Sequence, residues 1–184
     1  MRKPDGKKAA MWLLMIPLGL GFSLFLNLLL HILGFRSDVK TEETLLGYFG
    51  GNVWILVLIV VILAPLLEEF LFRKLLYGAL KRKLKPVIAM LITSVAFAVL
   101  HIDPVQMIYA FLFGLLLAEI TERSGNYLMG ALAHMTANLT AVLMNIWPEA
   151  NRFAEGNRIP LMLGGVIILT LSVFLFERLA RKRI

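Results

Sequence analysis

Within an otherwise apolar stretch, Pro65-Leu-Leu-Glu-Glu-Phe-Leu-Phe-Arg73 carries Glu68, Glu69 and Arg73. A charged side chain at the centre of a membrane span costs at least ~3 kcal/mol on insertion scales, so such residues mark function or tight pairing. On a helix Glu69 and Arg73 are four apart and share a face, which suits an ion pair. Glu68 is rotated away from that face and has no such partner. A salt-bridged cluster that fixes helix packing accounts for Glu69 and Arg73 and leaves Glu68 unexplained.

Further along, Phe97-Ala-Val-Leu-His101 ends in one histidine, and His134-Met-Thr-Ala-Asn138 begins with another. The i,i+4 spacing points His134 and Asn138 the same way. Gly130, one turn earlier, would let a neighbouring helix backbone come close. Pro65 lacks an N–H and should free a carbonyl one turn ahead of Glu68, which a membrane tolerates where the freed group finds a partner or lines a wet cavity. A lone histidine in a membrane is more often a packing residue than a catalyst. Glu, His, His and Asn on three spans fit that reading poorly. At 1.5 Å per residue, Glu68 lies ~18 Å from the inner end of its span, His101 ~22 Å, His134 ~12 Å and Asn138 ~18 Å. One site near the midplane is feasible.

The elements that must hold these residues are apolar helices. The chain has 184 residues and is 59% hydrophobic, with a mean hydropathy of +0.81, which predicts an all-α, polytopic transmembrane bundle. Six segments near the ~20 residues needed to cross a bilayer run over about Ala10–Leu33, Asn52–Leu80, Pro86–Ile102, Pro104–Ile120, Asn126–Trp147 and Ile159–Phe176. The third and fourth are separated by Asp103-Pro104, read as turn chemistry, and should form a tight hairpin. Gly114 and Ala118 make a small-x-x-x-small pair for helix packing. The first run is too long for a secretory signal and lacks a clear cleavage site, so it is expected to be retained. No repeat or second domain is visible, and 1–184 reads as one integral membrane domain.

Charge sets the orientation. Of 19 Lys and Arg, fifteen fall on one side of a six-span arrangement; Arg36, Lys40, Arg152 and Arg158 fall on the other. The positive-inside rule then puts both termini in the cytoplasm. Trp54 and Trp147 mark outer ends and Trp12 and Tyr127 inner ends, while Ser37–Gly51 is compatible with a short amphipathic helix on the outer surface. The net charge of +7 does not indicate a nucleic-acid partner, because the cations cap apolar runs and are not interleaved with exposed aromatics. Glu119 and Glu122 are expected to be solvated beside Arg123 at an inner end. The absence of cysteine excludes thiolate catalysis and disulfides.

Glu68-Glu69-Phe-Leu-Phe-Arg73, then Phe97 to His101, then His134 to Asn138 resemble in order and type the pattern of the CPBP intramembrane proteases, the CAAX-protease and bacteriocin-processing (Abi) family. The resemblance covers about residues 60–147. It implies an intramembrane endopeptidase in which Glu68 and His101 hold a water, with Glu68 taking its proton. His134 and Asn138 would stabilise the oxyanion, and Glu69 and Arg73 would support the helix. No cofactor is needed in that scheme. Zinc on Glu68, His101 and His134 is the competing account, disfavoured by the lack of a His-Glu-x-x-His pair. Implied partners are membrane lipid and a membrane-associated or lipidated protein or peptide, with prenylated CAAX proteins, bacteriocin leaders and anchored regulators as the family's substrate classes. A prokaryotic cell membrane is the expected location. Two rivals stay open: an ion-coupled transporter, since membrane Glu and His also mark ion paths, and a catalytically silent membrane scaffold.

Overall fold

A computed structural model describes residues 6–35, 46–101 and 103–181. These form α1 (Gly6–Ile32), α2 (Val53–Leu80), α3 (Pro86–Ala98), α4 (Pro104–Ser124), α5 (Tyr127–Ile146), α6 (Pro148–Gly156) and α7 (Arg158–Ala180). Among the described residues α1, α2, α4, α5 and α7 are long and apolar enough to cross a membrane. The greater part of the expected outer amphipathic segment, residues 36–45, lies outside the described residues. Near its C-terminal end, Leu46 and Phe49 pack on Leu56, Val61 and Val142 at the start of α2 and the end of α5.

The caps explain the boundaries. Asn52 accepts from the N–H groups of Trp54 and Ile55 at the start of α2. Asp103 accepts from Gln106 N–H at 2.9 Å ahead of Pro104, which opens α4. Asn126 accepts from Leu128 N–H at the start of α5. Between α4 and α5 the chain turns through Gly125 at φ 67°, a left-handed conformation that suits glycine at a helix end.

The third apolar segment is helical only over Pro86–Ala98, thirteen residues, or ~20 Å against a hydrocarbon core of ~30 Å. Pro104 disfavours helical geometry at Asp103, which is extended, and the α-helix ends at Ala98 while the composition stays apolar through Val99 and Leu100. The tight hairpin forms as expected: α3 lies against α4, with Gly114 facing Ser94, where a Cβ would stand 3.1 Å away. Ala118 is buried with Ala89, Met90 and Tyr77.

α5 sits centrally, touching α1, α2 and α4. Gly19 of α1 meets the carbonyl of Ala133 so closely that no Cβ fits between them, and Gly21 and Gly165 bring α1 and α7 into backbone contact. Such small-residue seams are how apolar helices associate where lipid removes the hydrophobic drive. Phe22, Phe113, Leu117, Ala133 and Ala137 fill the common core of α1, α4 and α5.

Candidate active site

α2 carries the two glutamates on a helix of uneven width. Its turns are π-helical over Val57–Leu63 and Phe70–Tyr77 and α-helical over Ala64–Glu69 between them. Wide turns of this kind often accompany functional positions. Glu69 and Arg73 are fully buried, with Arg73 Nε 3.2 Å from Glu69 Oε2, off the hydrogen-bonding direction. The guanidinium also donates from Nη2 to the Gly114 carbonyl at 3.3 Å and lies 4.7 Å over the Phe97 ring. Three helices, α2, α3 and α4, therefore close around one cation.

His134 of α5 faces both carboxylates. Its Nδ1 is 3.3 Å from Glu69 Oε1 and its Nε2 is 3.7 Å from Glu68 Oε2. An ionised Glu69 can only accept a hydrogen bond, so Nδ1 carries the proton in that contact and Nε2 is the nitrogen turned to Glu68. Glu68 keeps 29% of its side chain exposed while Glu69 keeps none. Phe97 and Phe113 stand edge-on to the imidazole at 5.7 and 5.3 Å between centroids. Gly130 admits this arrangement: a Cβ there would stand 3.2 Å from Glu69 Oε2 and 3.6 Å from the Leu117 carbonyl. The glycine makes room chiefly for a carboxylate, a closer neighbour than the helix backbone expected from its spacing.

Asn138 donates from Nδ2 to the Val60 carbonyl at 2.9 Å. The register of α2 explains why that carbonyl is available. Ala64 N–H bonds to Ile59 O, five residues back. In the same register Val60 O would receive residue 65, which is proline and has no N–H. Asn138 thus satisfies the carbonyl that Pro65 leaves free. One of its amide hydrogens is committed, and among the described residues the other has no partner.

His101 is set apart from this group. Its Nδ1 is 3.3 Å from the Phe97 carbonyl and its ring stands edge-on to Phe97 at 5.3 Å. Phe97 lies against both imidazoles. The structure therefore brings Glu68, Glu69, Arg73 and His134 into contact, adds Asn138 one turn further along α5, and separates His101 from them by one aromatic ring. Among the described residues no three His, Asp or Glu side chains are grouped to hold a metal ion. The donor set of Glu68, His101 and His134 does not assemble around one point in this conformation.

Several contributors were not visible in the sequence. Phe113 against His134 and the partners of the Val60 and Gly114 carbonyls follow from helix packing, with Pro65 and Gly114 as their traces in the sequence. The acidic residues at the inner end of α4 are paired, not merely solvated. Glu122 accepts from Lys81 and from Tyr77 Oη, both at 2.8 Å, and Glu119 accepts from Arg123 Nε at 2.6 Å.

Residues 50–140 match the family model for type II CAAX prenyl endopeptidase Rce1-like proteins. The Bacillus subtilis (strain 168) protein named "Putative membrane peptidase YdiL" is 26% identical over 139 residues, a match that covers 75% of this chain and 57% of that protein. The chain thus spans somewhat over half the length of that relative. No solved structure matches it. The apolar helices and this kinship make it an integral, multi-pass membrane protein. The matched segment contains the Glu68–Arg73, Phe97–His101 and His134–Asn138 elements in full, and this match and the relative support kinship with the CPBP membrane proteases.

Proposed function

We propose that the protein is an intramembrane endopeptidase that hydrolyses a peptide bond of a membrane-associated or lipidated protein, with Glu68 as general base. The observation that carries this reading is the division of labour between adjacent carboxylates. Glu69 is buried between Arg73 and His134 Nδ1, and Glu68 is partly exposed beside His134 Nε2. One carboxylate holds the machinery and the other is free to handle a proton.

In this scheme a water beside Glu68 gives up its proton to the carboxylate as its oxygen attacks the peptide carbonyl carbon. The oxyanion receives a hydrogen bond from the second amide hydrogen of Asn138, and one from His134 when Nε2 carries a proton as well as Nδ1. The C–N bond then breaks, and the proton held by Glu68 passes to the departing amine. His101 enters as a second contact for the water once its ring leaves the Phe97 carbonyl. No metal takes part in these steps. The substrate is membrane-anchored, and prenylated CAAX-type chains are the class that the family's description suggests.

The test is a comparison of membranes from cells making the wild-type protein or Glu68→Gln at equal levels. A protein that stays uncut only with Glu68→Gln is the expected outcome and identifies the substrate. Identical processing in both contradicts the proposal. Cleavage by purified wild-type protein should persist in chelator once metal analysis shows none bound, and its loss on stripping one metal per chain would overturn the metal-free scheme.

A further inference from the structure

The segment that matches the family model begins at residue 50, and α1 precedes it. This helix nevertheless reaches the candidate site. Gly19 of α1 presses on the carbonyl of Ala133, the residue before His134, and a Cβ there would also stand 3.0 Å from Thr136 Cβ. One turn further along α1, Phe22 stacks on Phe113 of α4, with 4.5 Å between centroids and 26° between planes. Phe113 in turn stands edge-on to the His134 imidazole, at 5.3 Å and 87°. Tyr109 completes the aromatic group, meeting Phe22 at 5.4 Å and Phe113 at 5.8 Å. Phe22, Phe113 and His134 are all buried.

The imidazole needs such support, because its polar contacts are long. Nδ1 is 3.3 Å from Glu69 and Nε2 is 3.7 Å from Glu68, where an N–H···O bond is usually about 2.7–3.2 Å. The torsion that turns the ring has a broad, roughly two-fold preference, so the rotamer alone does not fix its plane. Two flat rings do constrain it. Phe97 from α3 at 88° and Phe113 from α4 at 87° each stand nearly perpendicular to the imidazole. Turning His134 out of its plane would lose both edge-to-face contacts, a favoured arrangement of aromatic pairs. Phe97 also meets Arg73 and His101, whereas the other ring partners of Phe113 are Phe22 and Tyr109. Phe113 is thus the ring whose place is set by α1.

We propose that Phe113 is a positioning residue for His134, and that Phe22 of α1 holds Phe113 in place. The inference rests on the reading of His134 as part of the peptidase site. Phe113 takes no part in the proton transfers of that scheme. It fixes the plane in which His134 meets Glu69 and Glu68, and so gives α1 a part in the geometry of the site.

The test compares wild type with Phe113→Leu, Phe22→Leu and Phe176→Leu, as full chains in detergent micelles. Leucine keeps most of the apolar volume and removes the flat face. Phe176 is a similarly buried ring of the same core, with no ring contact to Phe113 or His134 among the described residues. The chain has three histidines, so selective isotope labelling resolves their side chains by NMR, assigned with His31→Gln and His101→Gln. Wild type should give one sharp His134 signal. Phe113→Leu and Phe22→Leu should each broaden or split it and leave His31 unchanged, while Phe176→Leu should leave it as in wild type. Turnover is read on the substrate that accumulates uncut with Glu68→Gln. Phe113→Leu should lower kcat by about 10- to 100-fold, the scale of a misplaced group, with KM changed by less than about twofold. Phe22→Leu should lower kcat by about three- to tenfold on the same reasoning, and Phe113→Tyr, which restores the ring, should recover most of the loss. One sharp His134 signal in both Phe113→Leu and Phe22→Leu overturns the inference, as does an equal effect of Phe176→Leu or an unchanged kcat in folded Phe113→Leu. A wild-type protein that cleaves no substrate overturns the peptidase reading instead, and the NMR comparison still decides the positioning. Should Phe113→Leu fail to fold, Phe22→Leu, whose ring contacts are Phe113 and Tyr109, gives the same readouts.

Discussion

At the scale of single residues, the site separates holding from reacting. The spacing of Glu69 and Arg73 was enough to predict their ion pair, because a helix fixes which side chains meet four residues apart. The contact of His134 with both carboxylates was not legible, since it depends on which face of α5 meets α2. The difference between Glu68 and Glu69 leads to a direct expectation for Glu69→Gln. It removes one charge of a pair that no water reaches, and breaking a buried pair costs about 3–5 kcal/mol. Purified Glu69→Gln should unfold at clearly lower temperature, with Glu68→Gln within a degree or two of wild type. Equal melting temperatures for wild type and Glu69→Gln would remove its structural assignment.

At the scale of elements, hydropathy located the helices well. Asn52, Asp103-Pro104 and Asn126 stand at bounds read from the sequence, and the structure starts a helix directly after each. Two features of helix geometry were missed. The early end of α3 is hidden because Val99 and Leu100 stay apolar after the helix has stopped. The wide turns of α2 have no side-chain signature, although Pro65 signalled that a carbonyl would need a partner. Asn138 is that partner, which gives it a structural part besides any role at the oxyanion. Asn138→Ala should cost about 1–3 kcal/mol of stability by leaving the Val60 carbonyl unsatisfied. In a Pro65→Ala background residue 65 regains an N–H, and the same substitution should cost at least about 1 kcal/mol less. Costs that add within about 0.5 kcal/mol, as for independent sites, would contradict the link. Any loss of turnover from a missing oxyanion donor should persist in both backgrounds, on the order of 100- to 1,000-fold.

At the scale of the whole molecule, five long helices and one short one carry the charge segregation read from sequence. Orientation follows from the cations alone. Reporters fused after Ile184 and within Lys81–Lys85 should both read cytoplasmic, and one placed in Glu149–Gly156 should read external. A reversal at any of the three would overturn the orientation. The short α3 has a consequence at this scale: it packs against α2 and α4, and its outer end falls short of the full hydrocarbon core. His101 lies directly beyond that end, so its surroundings depend on how the bilayer meets the hairpin.

The central claim is that Glu68 is the residue that activates water. Its most direct measurement is the turnover of Glu68→Gln and wild type, purified side by side in lipid vesicles, on a substrate identified by its accumulation in cells. Melting temperatures from the same preparations report folding. The account predicts folding unchanged and turnover lowered by at least about 100-fold, the scale of general acid–base catalysis. Near-normal turnover by a folded Glu68→Gln protein would contradict it.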